Sequence, residues 1–298
     1  MYCRIGYKKL LRDIGLQDTF IELNELSQRY FEVKMIEYGN LKEKEFIKLN
    51  QELPQKKLVI EVAKYKKAKE KEFIDIQSKK YKISVNSDLK EKMRILFAKN
   101  YIAMTYNSFE IFFDDFRKEY NQFNNTGDSF DYELTLKKNV KITRFEFLLK
   151  KFPLLNAKIP TNHKNLYYYF KEIRTNTTHA KSDKSKIEDL YKKLELDTVE
   201  FSSSKKRKEF TFKTLPKQHQ KLDFDDWLIF TKLIKSIALE ISKITNPSPE
   251  KLIKKYNLKQ LNRYKTKTKR KEAVKKTIWS DFFVEDNFDF FNKIDILL

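Results

Sequence analysis

Residues 88–121 read DLKEKMRILFAKNYIAMTYNSFEIFFDDFRKEYN. Leu89, Met93, Leu96, Phe97, Tyr101, Thr105, Phe109, Phe112, Phe113 and Phe116 recur at spacings of three and four. That is the period of a helix, and a stripe this wide must be covered along most of its length. Asn86-Ser87-Asp88 supplies capping side chains just before it. A second stripe of the same kind lies at Asp223 to Ile244, with Phe230, Leu233, Ile234, Ile237, Ala238, Ile241 and Ile244. Two wide apolar faces need one another, so the expected centre of the molecule is a bundle built on these helices.

Composition agrees. The 298 residues hold 4 Gly and 6 Pro, against 25 Phe and 16 Tyr. Few breakers and many Lys, Glu, Leu and Ile favour helix throughout. Rossmann, P-loop and β-sandwich folds need glycine at tight turns and are disfavoured. The fold class expected is mostly α: a bundle over 88–246, an additional N-terminal helical pair in 1–87, and a basic C-terminal helical extension over 247–298. In the first region, 17–38 reads as a helix with Phe20, Leu23, Leu26, Tyr30 and Val33 on one face, closed by Gly39-Asn40. A short piece, 41–52, follows, then a charged helix over 57–77. In the bundle, 135–151 reads as a helix, 154–164 as a loop, and 166–173 as a helix with Tyr167-Tyr168-Tyr169-Phe170 as a bulky face. Ser185 and Glu188 read as a capping box. Thr198 to Thr214 is a β-hairpin or a loop. Ser248-Pro249 restarts a helix.

The formal charge is +21, from 63 Lys+Arg and 42 Asp+Glu. Such a balance attracts polyanions, and nucleic acid is the common one. The competing source is codon usage, because 53 of the 63 are lysine. Clustering favours partners: twelve basic residues and one acid lie between Lys251 and Lys276, whereas 281–298 holds five acids and one Lys. Lys251, Lys254, Lys255, Lys259, Arg263, Lys265 and Lys267 are therefore the expected RNA-contacting strip. Cys3 is the one cysteine, so no internal disulfide or cysteine-rich zinc site is expected. No apolar run approaches the ~20 residues of a membrane span, and Met1 to Leu11 lacks a signal-type apolar stretch. A cytoplasmic protein with no cofactor follows as the expectation.

Chemistry points to one segment. There are three histidines, and only His179 has a suggestive context: Arg174-Thr175-Asn176-Thr177-Thr178-His179. A histidine moves protons near neutral pH, and an arginine fork fits phosphate oxygens. Together they make a metal-free kit for cleaving RNA. Their bland alternative is a capping histidine and a surface arginine at a helix break.

The order of elements resembles the HEPN superfamily of higher-eukaryote and prokaryote nucleotide-binding helical bundles. That order is a long helix carrying Phe109-Glu110, a helix with Phe145 to Leu149, the Arg-x4-His segment, a capped helix and a last amphipathic helix. The resemblance covers 88–245 and is closest to members from bacterial antiviral and abortive-infection systems. It implies a metal-independent endoribonuclease, acting in antiphage abortive infection or as a toxin. It implies Arg174 and His179 as the catalytic pair, Asn176 as a polar helper and Glu110 as an acid facing the arginine. Thr175 stands where the family usually has Asn, Asp or His, so the sequence departs from the pattern there. The resemblance also implies a homodimer or higher homo-oligomer with two motifs in one cleft, and an antitoxin or sensor protein as partner. The alternative is a catalytically silent helical module that binds nucleic acid or a protein.

Overall fold

The computed structural model describes residues 2–82, 90–133, 135–136, 140–178, 184–196, 215–283 and 288–298. About 80% of the described chain is helical, as expected from its composition. It forms two compact units, one of 1–17 with 98–298 and one of 18–97.

The smaller unit is built on α1 (Ile5–Leu49) and α2 (Gln55–Tyr81), joined through Pro54. Within it, Phe31 meets Phe73 at 5.5 Å between centroids, Tyr38 meets Phe73 at 5.5 Å, and Phe46 stacks on Tyr65 at 4.5 Å. Lys66 pairs with Glu43 at 3.1 Å. Rising numbers on α1 thus meet falling numbers on α2, which makes the two segments antiparallel. Two expectations change here. Gly39 does not close a helix: α1 runs through it to Leu49. A Cβ at 39 would stand 2.9 Å from Cγ of Glu70, so the missing side chain lets α2 approach. The stripe from Phe20 to Val33 is not turned inward either; Ile21 and Met35 are the buried residues of that segment, and Phe20, Leu23, Leu26, Tyr30 and Val33 are exposed.

In the larger unit the long helix is α3 (Lys90–Phe123), with its part from Ala98 onward lying here. Its cap cluster, 86–88, lies outside the described residues. Phe109, Phe112, Phe113 and Phe116 are all buried. After it, β2 (Thr135–Leu136) and β3 (Val140–Lys141) pair antiparallel, and α4 is confined to Arg144–Lys151. A single helix over 135–151 does not form, because Thr143 caps α4. Its hydroxyl accepts from the Glu146 amide at 3.1 Å, and the Glu146 carboxylate accepts from the Thr143 amide at 2.6 Å. The loop expected at 154–164 is instead α5 (Pro153–Lys158) followed by the start of α6 (Thr161–Thr178), with Pro153 at a first helical position. α7 (Lys184–Leu196) begins one residue before Ser185. The hairpin or loop expected at 198–214 lies outside the described residues. α8 (Phe224–Ser242) starts at a capping box of Asp223 and Asp226 and buries Phe230, Leu233, Ile234, Ile237 and Ile241. α3 and α8 meet as expected: Trp227 Nε1 donates to the Thr105 hydroxyl at 3.0 Å and its ring lies 6.1 Å from Tyr101.

Ser248 caps α9 (Pro249–Lys255), and a 3-10 helix over Leu258–Arg263 leads to α10 (Lys267–Ile278) and α11 (Phe288–Leu297). These close a second apolar cluster with the chain's start. β1 (Tyr2–Cys3) pairs with β4 (Phe282–Phe283), and Cys3 packs with Phe123, Leu252, Ile278 and Phe291. The first turns of α1 then run back along α3. Lys9 pairs with Asp115 at 2.8 Å, and Gln17 Nε2 donates to the Ser108 hydroxyl at 2.8 Å.

Glu119 lies at this junction, buried, with its Oε1 accepting the Gly6 amide and its Oε2 without a geometric hydrogen bond among the described residues. Burial pushes its carboxyl up to about 7, and Asp115 and Asp281 add to the rise, against the Gly6 amide and Cys3. An unfolded glutamate titrates near 4.5. Between these values the folded chain holds a proton that the unfolded chain has released. Stability therefore falls as pH rises from about 4.5 to about 7, by about 3 kcal/mol for this group. Glu119→Gln removes that slope. Urea unfolding at pH 5 and pH 8 should show the variant gaining on the wild type at pH 8. An unchanged difference between the two pH values would contradict the assignment.

Candidate active site

Tyr167 positions the site. It is fully buried on α6, 4.5 Å from Phe145 of α4, 6.0 Å from Phe109 and 6.2 Å from Tyr106 of α3 between ring centroids. Seven residues, or about two turns, further along the same face stands Arg174. Its guanidinium lies over the Tyr106 ring at 5.1 Å and donates to Asn107 Oδ1 at 3.5 Å. Its Nε is buried and has no hydrogen-bond acceptor among the described residues.

Glu110 is one turn beyond Asn107 on α3. Burial pushes its carboxyl above the usual range, against the Tyr106 hydroxyl, Arg144 and Arg174, which each pull it down. Arg144 Nη1 is 3.6 Å from Glu110 Oε2 and 3.0 Å from Asp114, and donates to the Glu110 carbonyl at 2.9 Å. It also covers the Tyr132 ring at 5.5 Å. The Tyr106 hydroxyl is raised, by burial and then by Glu110. The result is a half-buried group of two arginines, two carboxylates, an amide and a phenol at one end of α6.

Each expected residue has a place, or none. Arg174 and Glu110 come into the same field. His179 lies outside the described residues, one residue past the end of α6. Asn176 is on α6 but about 200° round the helix from Arg174, so the two do not share a face. The nearby hydroxyls serve the helix itself: Thr175 donates to the Lys171 carbonyl at 3.0 Å, Thr177 to Ile173 at 2.8 Å and Thr178 to Arg174 at 3.1 Å. Tyr106, Asn107 and Arg144 were missed by the sequence reading. Asn107 and Glu110, polar residues three apart and so one turn from each other on α3, were the available signal; Arg144 had none beyond following a cap.

The basic strip is divided. Lys254, Lys255, Lys259, Arg263 and Lys265 are exposed. Lys251 donates to the Asn124 carbonyl at 2.9 Å. Lys267 is 3.6 Å and Arg270 2.8 Å from Asp295 of α11, so the acidic tail holds part of the strip.

Among the described residues no group of three His, Cys, Asp or Glu is placed to hold a metal ion, and no helix is long and apolar enough to cross a membrane. Compared with known protein families, curated proteins and solved structures, the chain matches none.

Arg144 ties α4 to α3 with its side chain about three-quarters covered. Arg144→Leu leaves Asp114 and Glu110 without that partner and should cost about 2 kcal/mol in urea unfolding. It should also raise the Glu110 carboxyl further, visible by carboxyl NMR titration. A loss no larger than that of Lys254→Leu would show the contact to be idle.

Proposed function

We propose that the chain is a metal-independent endoribonuclease of the HEPN type, acting in antiphage abortive infection or as a toxin. The observation that carries this reading is Arg174: a fork whose buried Nε has no acceptor among the described residues, backed by Tyr106, Asn107 and Glu110, five residues before His179. An arginine held by a ring and an amide, with no close carboxylate ion pair among the described residues, keeps donors for a phosphate.

In this reading the 2′-hydroxyl of RNA attacks the adjacent phosphorus. His179 takes the proton of that hydroxyl or delivers one to the departing 5′-oxygen, and Arg174 neutralises the charge added to the phosphate. The P–O5′ bond breaks, and the products carry a 2′,3′-cyclic phosphate and a 5′-hydroxyl. Two copies of the chain would bring two histidines to one cleft, one as base and one as acid. Asn107 takes the part that the family pattern gives to a residue next to the arginine. Glu110 holds Arg174 through the field they share. The exposed part of the basic strip binds the RNA backbone.

The test is cleavage of single-stranded RNA with EDTA present. Wild type should cut, and His179→Ala should bind RNA but not cut it. Arg174→Lys should lose most of the rate, since a point charge does not replace the fork. DNA of the same sequence should be bound and left intact. Full activity in His179→Ala ends this reading, and RNA binding without cleavage by wild type promotes the silent binding module.

A second measurement addresses the strip. Reversing Lys254, Lys255, Lys259 and Arg263 to glutamate should weaken RNA binding at fixed salt and flatten the dependence of log K on log salt. Reversing Lys251 and Lys267 would test fold contacts instead. An unchanged affinity in the fourfold variant would assign the charge to composition alone.

A further inference from the structure

We propose that the outer face of α1 between Phe20 and Val33 is a self-docking surface, on which a second copy of this chain lies antiparallel about a two-fold axis beside Leu26. Phe20, Leu23, Leu26, Tyr30 and Val33 are 72%, 59%, 64%, 64% and 51% exposed. All five lie on one side of the helix, opposite the buried Ile21 and Met35. A continuous apolar stripe on the outside of a charged helix marks an interaction surface rather than scattered surface residues.

The charges beside the stripe select the occupant. A membrane-lying helix carries Lys and Arg along its polar flanks. Here the flanks are mixed, with Glu22, Arg29, Lys34 and Glu37. The order of residues is instead self-complementary under a two-fold axis. Phe20, Leu23, Ser27 and Tyr30 follow three-four-three coiled-coil spacing. Turned antiparallel about a point beside residues 25 and 26, Phe20 meets Tyr30 of the second copy and Leu23 meets Ser27. Leu26 meets its own equivalent, and Glu22 comes level with Arg29, twice. The paired positions differ in height by no more than about one residue, or ~1.5 Å. A parallel arrangement would place Glu22 on Glu22 and Arg29 on Arg29, which repel.

This surface lies wholly within the smaller unit and does not rest on the ribonuclease reading; its readout is association, not cleavage. Sedimentation of the full chain should give a dimer for wild type. Leu23→Glu/Leu26→Glu should raise the dissociation constant by roughly tenfold or more with helix content unchanged by circular dichroism. Glu22→Arg and Arg29→Glu should each weaken the dimer, and the double exchange should restore it, because the pair is rebuilt across the axis. Leu26→Cys should cross-link to itself on mild oxidation, while Cys3, which is buried, stays out of the reaction. A monomeric wild type overturns the proposal. So does a dimer indifferent to Leu23→Glu/Leu26→Glu, or a double exchange that restores nothing. Binding of the wild type, but not Leu23→Glu/Leu26→Glu, to phosphatidylserine vesicles without a dimer would overturn it too and give the stripe to a membrane.

Discussion

The contact of Tyr167 with the aromatic face of α3 is the constraint on which the larger unit depends. Tyr167 has no room to move: Phe145 lies on one side and Tyr106 with Phe109 on the other. A buried ring of this size, bounded by aromatic neighbours, locks the rotation of its helix as well as its distance. Everything on the same face of α6 is then placed without further choice. Arg174 lands over Tyr106 because it is two turns from Tyr167, and the Glu110 carboxyl lies within its field there. The polar cluster is a consequence of apolar packing, and its geometry is as firm as the core beneath it.

That dependence explains what was legible in the sequence. The stripes at 101–116 and 223–244 could be read because a helix buried on a wide face leaves a long periodic record; Met93 and Leu96, which continue the first stripe toward its start, are exposed, and Leu89 lies outside the described residues. Arg174 and Glu110 were reached from a motif and a helix position together. Asn107 and Arg144 were not: Asn107 showed only as a polar residue one turn before Glu110, Arg144 left no pattern, and both act through elements distant in sequence. The misread segments share one cause. Gly39 has two uses, ending a helix or letting another helix approach, and only the presence of Glu70 at 2.9 Å decides between them. Likewise Thr143 reads as an ordinary helix residue until its reciprocal bonds with Glu146 mark it as a start.

The exposed stripe on α1 is a different kind of misreading. Periodicity says that a face is apolar; it does not say that the same chain covers it. In α1 the inward line, with Ile21, Met35 and Gly39, is sparse and interrupted, because α2 approaches at a glycine and needs little volume. The outward line is richer. A helix with more apolar surface outside than inside is poorly explained by the fold of one chain, and its cost in water falls only when something covers it.

The charge pattern separates fold from binding in the same way. A chain at +21 repels itself. The C-terminal elements limit this by folding acids onto bases: Asp295 sits between Arg270 and Lys267, and Arg4 covers Trp279 near the β1–β4 pair. Those cations belong to the structure. Lys254, Lys255, Lys259, Arg263 and Lys265 are left facing water on α9, the 3-10 helix and the turn after it. Exposed like charges held close together by a rigid frame destabilise it slightly at low salt and gain most from a polyanion, which replaces their separate counterions at once. The division of the strip is therefore the informative quantity, more than the net charge: the cations paired with Asp295 hold the C-terminal cluster closed, and the exposed ones set what that cluster attracts.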